Sequence, residues 1–265
     1  MSNKSKILSL TEMKEIIKNP NNLTLPPDEE LVNFGLHLNQ FTQIEIDAAK
    51  LLIESQEKLE KKYEIKKLLL NGLVDISDEL AGIINKWNST VELNGLPLIK
   101  NNTAKLLAEG HLGTISLNGL QNLDGETAYE FIKNNGPLSF NGLTKLTDDF
   151  CKAFIKFKHG ISLDGLKNLS SEQAKILVKN KESQYPLQLT LNGLTSLDSQ
   201  TATELAKFPG DLFFEGISII KDDVAEALSK HKKMLVLSNL EKLSKKAKES
   251  LLKHKGTVVP DLSWF

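Results

Sequence analysis

Ile115-Ser116-Leu117-Asn118-Gly119-Leu120 recurs along this chain with changes that keep its chemical pattern. It returns as Leu68-Leu69-Leu70-Asn71-Gly72-Leu73, as Val91-Glu92-Leu93-Asn94-Gly95-Leu96, and again from Leu138, Ile161, Leu189, Leu212 and Leu235. A weaker copy, Leu36-His37-Leu38-Asn39-Gln40-Phe41, precedes them, and Val258-Val259-Pro260 opens a partial one. From Leu68 onward the starts lie 23, 24, 23, 23, 28, 23 and 23 residues apart, and 32 residues separate Leu36 from Leu68. A fixed period of this size marks a stacked-repeat architecture, in which one unit cannot bury its own apolar face and is stabilised by its neighbours.

Each unit contains two periodicities. The apolar-x-apolar opening has the alternation of a short strand with one buried face. A glycine follows at 72, 95, 119, 142, 165, 193 and 216, usually after asparagine. Asn-Gly tolerates positive φ, so a sharp left-handed turn out of the strand is expected there. Apolar pairs three apart come next, such as Leu120 with Leu123. Ser77, Asp124, Thr147, Ser170, Asp198 and Ser244 then stand where a helix N-cap belongs.

The second half reads as a helix. Thirteen positions after the first eight of these starts is a small residue: Ala49, Ala81, Ala104, Ala128, Cys151, Ala174, Ala202 and Ala225. Three positions further is a large one: Leu52, Ile84, Leu107, Phe131, Phe154, Leu177, Leu205 and Leu228. Such a pair brings a helix close to a sheet while filling the core. Acids such as Asp78 and Asp148 open the helices, and Lys86, Lys133, Lys179 and Lys230 are expected in their last turns, complementing the helix dipole.

The Leu-x-Leu strand, the leucines behind it and the 23-residue period resemble the leucine-rich-repeat family over about residues 36–260. Asparagine directly after Leu-x-Leu departs from the commonest consensus and is closer to bacterial BspA-like variants. The resemblance implies an α/β solenoid, with a parallel sheet on one face and short helices on the other. Residues 1–35 are expected to form an N-terminal cap containing a helix near Leu10–Lys18, with Pro20 and Pro26-Pro27 breaking the stretch after it. The solenoid proper is expected over 36–257, from starts 36, 68, 91, 115, 138, 161, 189, 212 and 235. The first repeat carries a longer charged helix through Glu57–Lys67, and the insertion Glu182–Pro186 lengthens one loop. Residues 258–265 are expected to form a C-terminal cap through Leu262, Trp264 and Phe265.

Composition narrows the function classes. The 265-residue chain has 33 basic residues, all of them lysine, and 34 acidic ones, a formal charge of −1. Arginine is the usual bidentate reader of phosphate and guanine, and neither its absence nor the net charge favours nucleic acid or an anionic membrane as a partner. No run approaches the ~18 apolar residues that cross a bilayer. The short Ile7–Leu10 stretch is not a signal peptide, and a single cysteine suits a reducing compartment, so a cytoplasmic location is expected. Export by another route is the alternative.

Catalytic groups are scattered. His111, His159, His231 and His254 fall at helix C-terminal ends, where a partly charged imidazole suits the dipole, and His37 lies in a strand. Cys151 takes the buried small position, and no Gly-rich phosphate loop is present. The Asn71, Asn94, Asn118, Asn141, Asp164, Asn192 column reads as turn formation, since a calcium ladder would need more carboxylates than Asp164 and Glu215 supply. No enzyme activity, cofactor or metal is expected. The candidate partner site is the exposed strand-middle column: Glu92, Ser116, Ser139, Ser162, Thr190, Phe213 and Val236. Hydroxyls line its centre, and Phe213, Val236 and Met234 make its C-terminal third apolar, as contact surfaces often are. The expected function is a protein-interaction scaffold. The alternative is a bacterial secreted or surface-associated effector using the same scaffold on a host target.

Overall fold

The computed structural model describes residues 5–20, 35–179 and 187–264. It shows an α/β protein of two compact units, residues 1–121 with 133–139, and residues 122–132 with 140–265. The prolines at 26–27, the insertion at 182–186 and the side chains of Trp264 and Phe265 lie outside the described residues.

In the first unit the chain runs through β1 (Ile7–Leu8), α1 (Leu10–Lys18), β2 (Gly35–His37), β3 (Gln43–Ile44), α2 (Ile46–Glu54) and α3 (Gln56–Tyr63). It continues through β4 (Lys67–Leu69), α4 (Asp78–Ile84), β5 (Val91–Glu92), α5 (Asn101–Ala108), β6 (Ile115–Ser116) and β7 (Leu138–Ser139). β2, β4, β5, β6 and β7 pair in parallel in that order. Their repeat starts lie side by side, Leu36 against Leu68, then Val91, Ile115 and Leu138. A one-residue slip would turn every buried leucine outward, which is why the register follows the period. β1 pairs with β3 in a separate parallel ladder.

Helix α1 begins in a capping box, where Ser9 Oγ accepts the Glu12 N–H and Glu12 Oε2 accepts the Ser9 N–H at 3.1 Å. It buries Met13 and Ile17 and packs on α2. The charged helix expected to reach Lys67 stops at Tyr63, because Glu64 turns left-handed at φ 56° and Lys67 already belongs to β4.

The second unit contains α6 (Gly125–Phe131), α7 (Asp148–Ala153), β8 (Ile161–Ser162), α8 (Ser171–Leu177), β9 (Gln188–Thr190) and α9 (Ser199–Leu205). It ends with β10 (Asp211–Phe213), α10 (Asp222–Leu228), β11 (Leu235–Val236), α11 (Lys245–Leu251) and β12 (Val258–Val259). β8 to β12 pair in parallel in chain order, with Ile161, Leu189, Leu212, Leu235 and Val258 in register.

The six expected N-caps all form. Each side chain accepts the N–H three residues on, from 2.8 Å at Asp124 and Asp198 to 3.2 Å at Ser77 and Ser170. α5 and α10 start after Lys100 and Lys221 without a side-chain cap. From Ala49 to Ala225 every small helix position is fully buried, and the large residue one turn later is buried with it. Helices α4 and α6 to α11 have only six or seven residues. Lys86, Lys133, Lys179 and Lys230 therefore fall just beyond the helix ends rather than in the last turns. In the second unit Phe140 sits edge-on to Phe131 at 5.2 Å, and Phe150 stacks on Phe154 at 4.6 Å, filling the core with aromatic contacts.

Candidate functional site

The strand-middle column is in register within each unit. In the first, Leu69 pairs with Glu92, Glu92 with Ser116, and Ser116 with Ser139. In the second, Ser162 pairs with Thr190, Thr190 with Phe213, and Phe213 with Val236. The column is less exposed than the alternation predicts. Glu92, Ser139, Ser162, Thr190 and Phe213 are half-buried, Ser116 is only 7% exposed and Val236 only 6%. Met234 is also half-buried, so the expected exposed apolar third is reduced to the partly covered Phe213 and Met234. Strands under 5 Å apart let each side chain shield the flank of the next.

The hydroxyls of this column serve the structure. Ser116 Oγ donates to Asn94 Oδ1 at 2.7 Å, and Ser139 Oγ to Asn118 Oδ1 at 2.8 Å. In the second unit Ser162 Oγ lies 2.6 Å from Asn141 Oδ1, and Thr190 Oγ1 donates to Ser162 Oγ at 2.7 Å. Glu92 Oε2 accepts from the amides of Asn71 at 3.1 Å and Asn94 at 3.4 Å. The column is a wired polar strip rather than a groove of free hydroxyls.

The asparagine column does more than form turns. Asn39 Oδ1 accepts the backbone N–H of Asn71, Asn71 Oδ1 that of Asn94, and Asn94 Oδ1 that of Asn118, at 2.8 to 2.9 Å. In the second unit the same bond runs from the Asp164 N–H to Asn141, from the Asn192 N–H to Asp164 and from the Glu215 N–H to Asn192, each at 2.9 Å. These N–H groups lie two residues beyond the strand ends and have left the sheet ladder, so the side chain of the previous repeat satisfies them. The signal in the sequence was an amide or carboxylate recurring at the repeat period.

The glycines beside them are not left-handed: among the described residues, Gly110 alone of the glycines has a positive φ, +77°. They are required by close approach. A Cβ on Gly95 would lie 2.1 Å from the Asn71 carbonyl oxygen, and one on Gly193 would lie 2.0 Å from that of Asp164. The expectation of a positive-φ turn is thus replaced by backbone stacked against backbone.

His111 and His231 are held away from the charged form that a dipole partner would need. His111 and His231 are buried beyond the ends of α5 and α10, and burial pushes both pKa values down. His111 Nδ1 lies 2.9 Å from the Asn85 carbonyl oxygen and His231 Nδ1 lies 3.3 Å from that of Ala206. A carbonyl only accepts, so Nδ1 carries the proton; in each ring the buried Nε2 has no partner. Trp87 Nε1 donates to the Lys66 carbonyl from the matching loop position, and Asn134 Nδ2 to that of Gly136. This loop position, which Phe208 fills as well, plugs the turns behind α4, α5, α6, α9 and α10.

The Cys151 thiol is fully buried, and its pKa is pushed up to about 12, chiefly by burial and then by the Asp148 charge. It is a packing group, since the nucleophilic form is the thiolate. Among the described residues no three His, Cys, Asp or Glu side chains are placed to hold a metal, and no helix is long and apolar enough to cross a membrane. One cleft, of about 510 Å³, lies between α1 and the Gln40–Phe41 turn, away from the strip. The chain matches no known protein-family model and no curated protein.

Proposed function

We propose that this chain is a leucine-rich-repeat-like scaffold without enzymatic activity, whose solenoid repeats hold a protein partner on the sheet face. The observation that carries this reading is the asparagine ladder. Each rung fixes the strand exit of one repeat against the next, so the strip formed by Glu92, Ser116 and Ser139, and that formed by Ser162, Thr190, Phe213 and Val236, are rigid in register. A rigid surface loses little conformational entropy when it binds, which favours recognition by shape. With the hydroxyls spent internally, Glu92 and Phe213 are the members best able to give a partner an ionic and an apolar contact.

Affinity capture from a lysate of the source organism tests the reading. Ser139→Arg and Phe213→Asp are expected to abolish capture of a partner that wild type retains, whereas Lys152→Glu on the exposed side of α7 leaves it unchanged. Thermal melts identify any variant that has simply unfolded. Equal capture by wild type and both folded strip variants would exclude the sheet face.

A further inference from the structure

The last two loops behind the helices of the second unit share a sequence. Lys230-His231-Lys232-Lys233 follows α10 and Lys253-His254-Lys255-Gly256 follows α11, so equivalent residues are 23 apart. The loops lie one on the other. The His231 and His254 rings stack with centroids 5.8 Å apart, and His254 Nε2 lies 2.8 Å from the Lys233 carbonyl oxygen. A Cβ on Gly256 would meet that same oxygen at 2.2 Å. The stacked rings therefore bring Lys230, Lys232, Lys233, Lys253 and Lys255 together, and all five are exposed.

Neither loop contains an acidic residue, although the whole chain is at −1. One repeat earlier the equivalent of Lys230 is Lys207, whose Nζ pairs with Glu204 at 2.7 Å. The positions equivalent to Glu204 are Ala227 and Ser250, so this i,i+3 pair is not repeated; Glu226 and Glu249, four residues before Lys230 and Lys253, are exposed and form no ion pair with them. Among the described residues none of the five lysines forms an ion pair with a carboxylate. Asp211, on the preceding layer, is occupied in part by the Met234 N–H at 3.1 Å. Beside Lys253, Leu252 is 62% exposed.

We propose that these paired loops are a docking surface for an anionic phospholipid membrane. Four to eight clustered lysines attract an anionic leaflet, and an apolar side chain among them adds shallow insertion. Lysine is a point charge without arginine's planar fork, suited to a diffuse layer of headgroups. Leu252 has no counterpart in binding to a phosphate backbone, and the loops present no exposed aromatic ring for a base to stack on.

Co-sedimentation of the full chain with vesicles of phosphatidylcholine alone, or with added phosphatidylserine, tests the proposal. Binding is expected only to the phosphatidylserine vesicles and weakens as salt is raised. Lys230→Gln with Lys253→Gln lowers the affinity about thirtyfold, roughly fivefold for each lysine. Leu252→Ser weakens vesicle binding without changing retention on a DNA duplex. No binding to phosphatidylserine vesicles at low salt, or wild-type binding by the lysine variant, overturns the proposal. So does tighter binding to the duplex than to vesicles with Leu252→Ser neutral, which would make the surface a nucleic-acid site.

Discussion

Gly95→Ala and Gly82→Ala make the same chemical change in the first unit and should move stability in opposite directions. In Gly95 the added Cβ would stand 2.1 Å from the Asn71 carbonyl oxygen and 2.6 Å from that of Leu73, where ordinary contact begins at 3.4 Å. Both obstacles are backbone, so two layers must separate by about 1 Å, and overpacking of this kind costs about 1–3 kcal/mol. The same movement strains the 2.9 Å bond from the Asn94 N–H to Asn71 Oδ1, worth about 1 kcal/mol more. The total loss is about 2–4 kcal/mol. At Gly82, inside α4, no atom lies within 4 Å of the added Cβ, and the better helix propensity of alanine contributes about 0.5–1 kcal/mol of stability. Urea and thermal unfolding followed by circular dichroism measure both. Gly110 separates the two explanations of a required glycine. There φ is +77° with open space around it, so Gly110→Ala costs about 1 kcal/mol and Gly110→Asn less, because asparagine tolerates the left-handed region. At Gly95 asparagine does at least as much damage as alanine. Wild-type stability of Gly95→Ala within about 0.5 kcal/mol would refute the close-approach argument.

Three further outcomes are expected. Asn94→Ala removes the acceptor of the Asn118 N–H and the Ser116 hydroxyl and should cost about 1–3 kcal/mol, whereas Asp164→Asn keeps the acceptor in the same column and should stay within about 0.5 kcal/mol by urea denaturation. His111 and His231 have depressed folded pKa values, so the unfolded chain takes up their protons first. Stability is then full above the unfolded value of about 6.5 and declines as pH falls towards the folded values, by at most about 1.4 kcal/mol per pH unit for each ring. His111→Asn and His231→Phe, residues that fill this loop position elsewhere, should flatten the melting temperature between pH 7 and 5; an unchanged slope would show that the rings are not its source. Asp198→Ala should cost about 1 kcal/mol through loss of the α9 cap, which receives the Thr201 N–H at 2.8 Å. Hydrogen bonding by Thr201 holds the Asp198 carboxyl below its usual range. Its contribution is therefore present above the unfolded pKa and disappears as pH falls through the folded one, so acid melts of wild type and variant should converge.

Much of the local structure was legible. The caps at Ser77, Asp124, Thr147, Ser170, Asp198 and Ser244 each bond within four residues of chain, whereas the Ser9–Glu12 capping box that opens α1 went unread although its spacing is just as local. The buried series from Ala49 to Ala225 follows from i, i+3 spacing on one helix face. The candidate strip was legible in its position but not in its chemistry. Ser116 and Val236 were read as exposed because alternation says which face a residue takes, and it carries no information on how deeply neighbouring strands shield that face. The helix through Glu57–Lys67 was drawn too long because nothing in its composition signals the left-handed Glu64.

The sequence by itself determined the period, the strand and helix of each repeat, their caps and their buried faces, since all of these depend on residues within a turn or two of one another. Only the tertiary structure decided what the periodic polar residues do. The Asn94 amide oxygen meets an N–H 24 residues away, Gly95 makes room for a carbonyl from the previous layer, and the His231 pKa is lowered because the fold closes around it. Each of these depends on the distance between neighbouring layers. That distance is set by packing across the repeat, and local patterns of hydrophobicity and capping do not encode it.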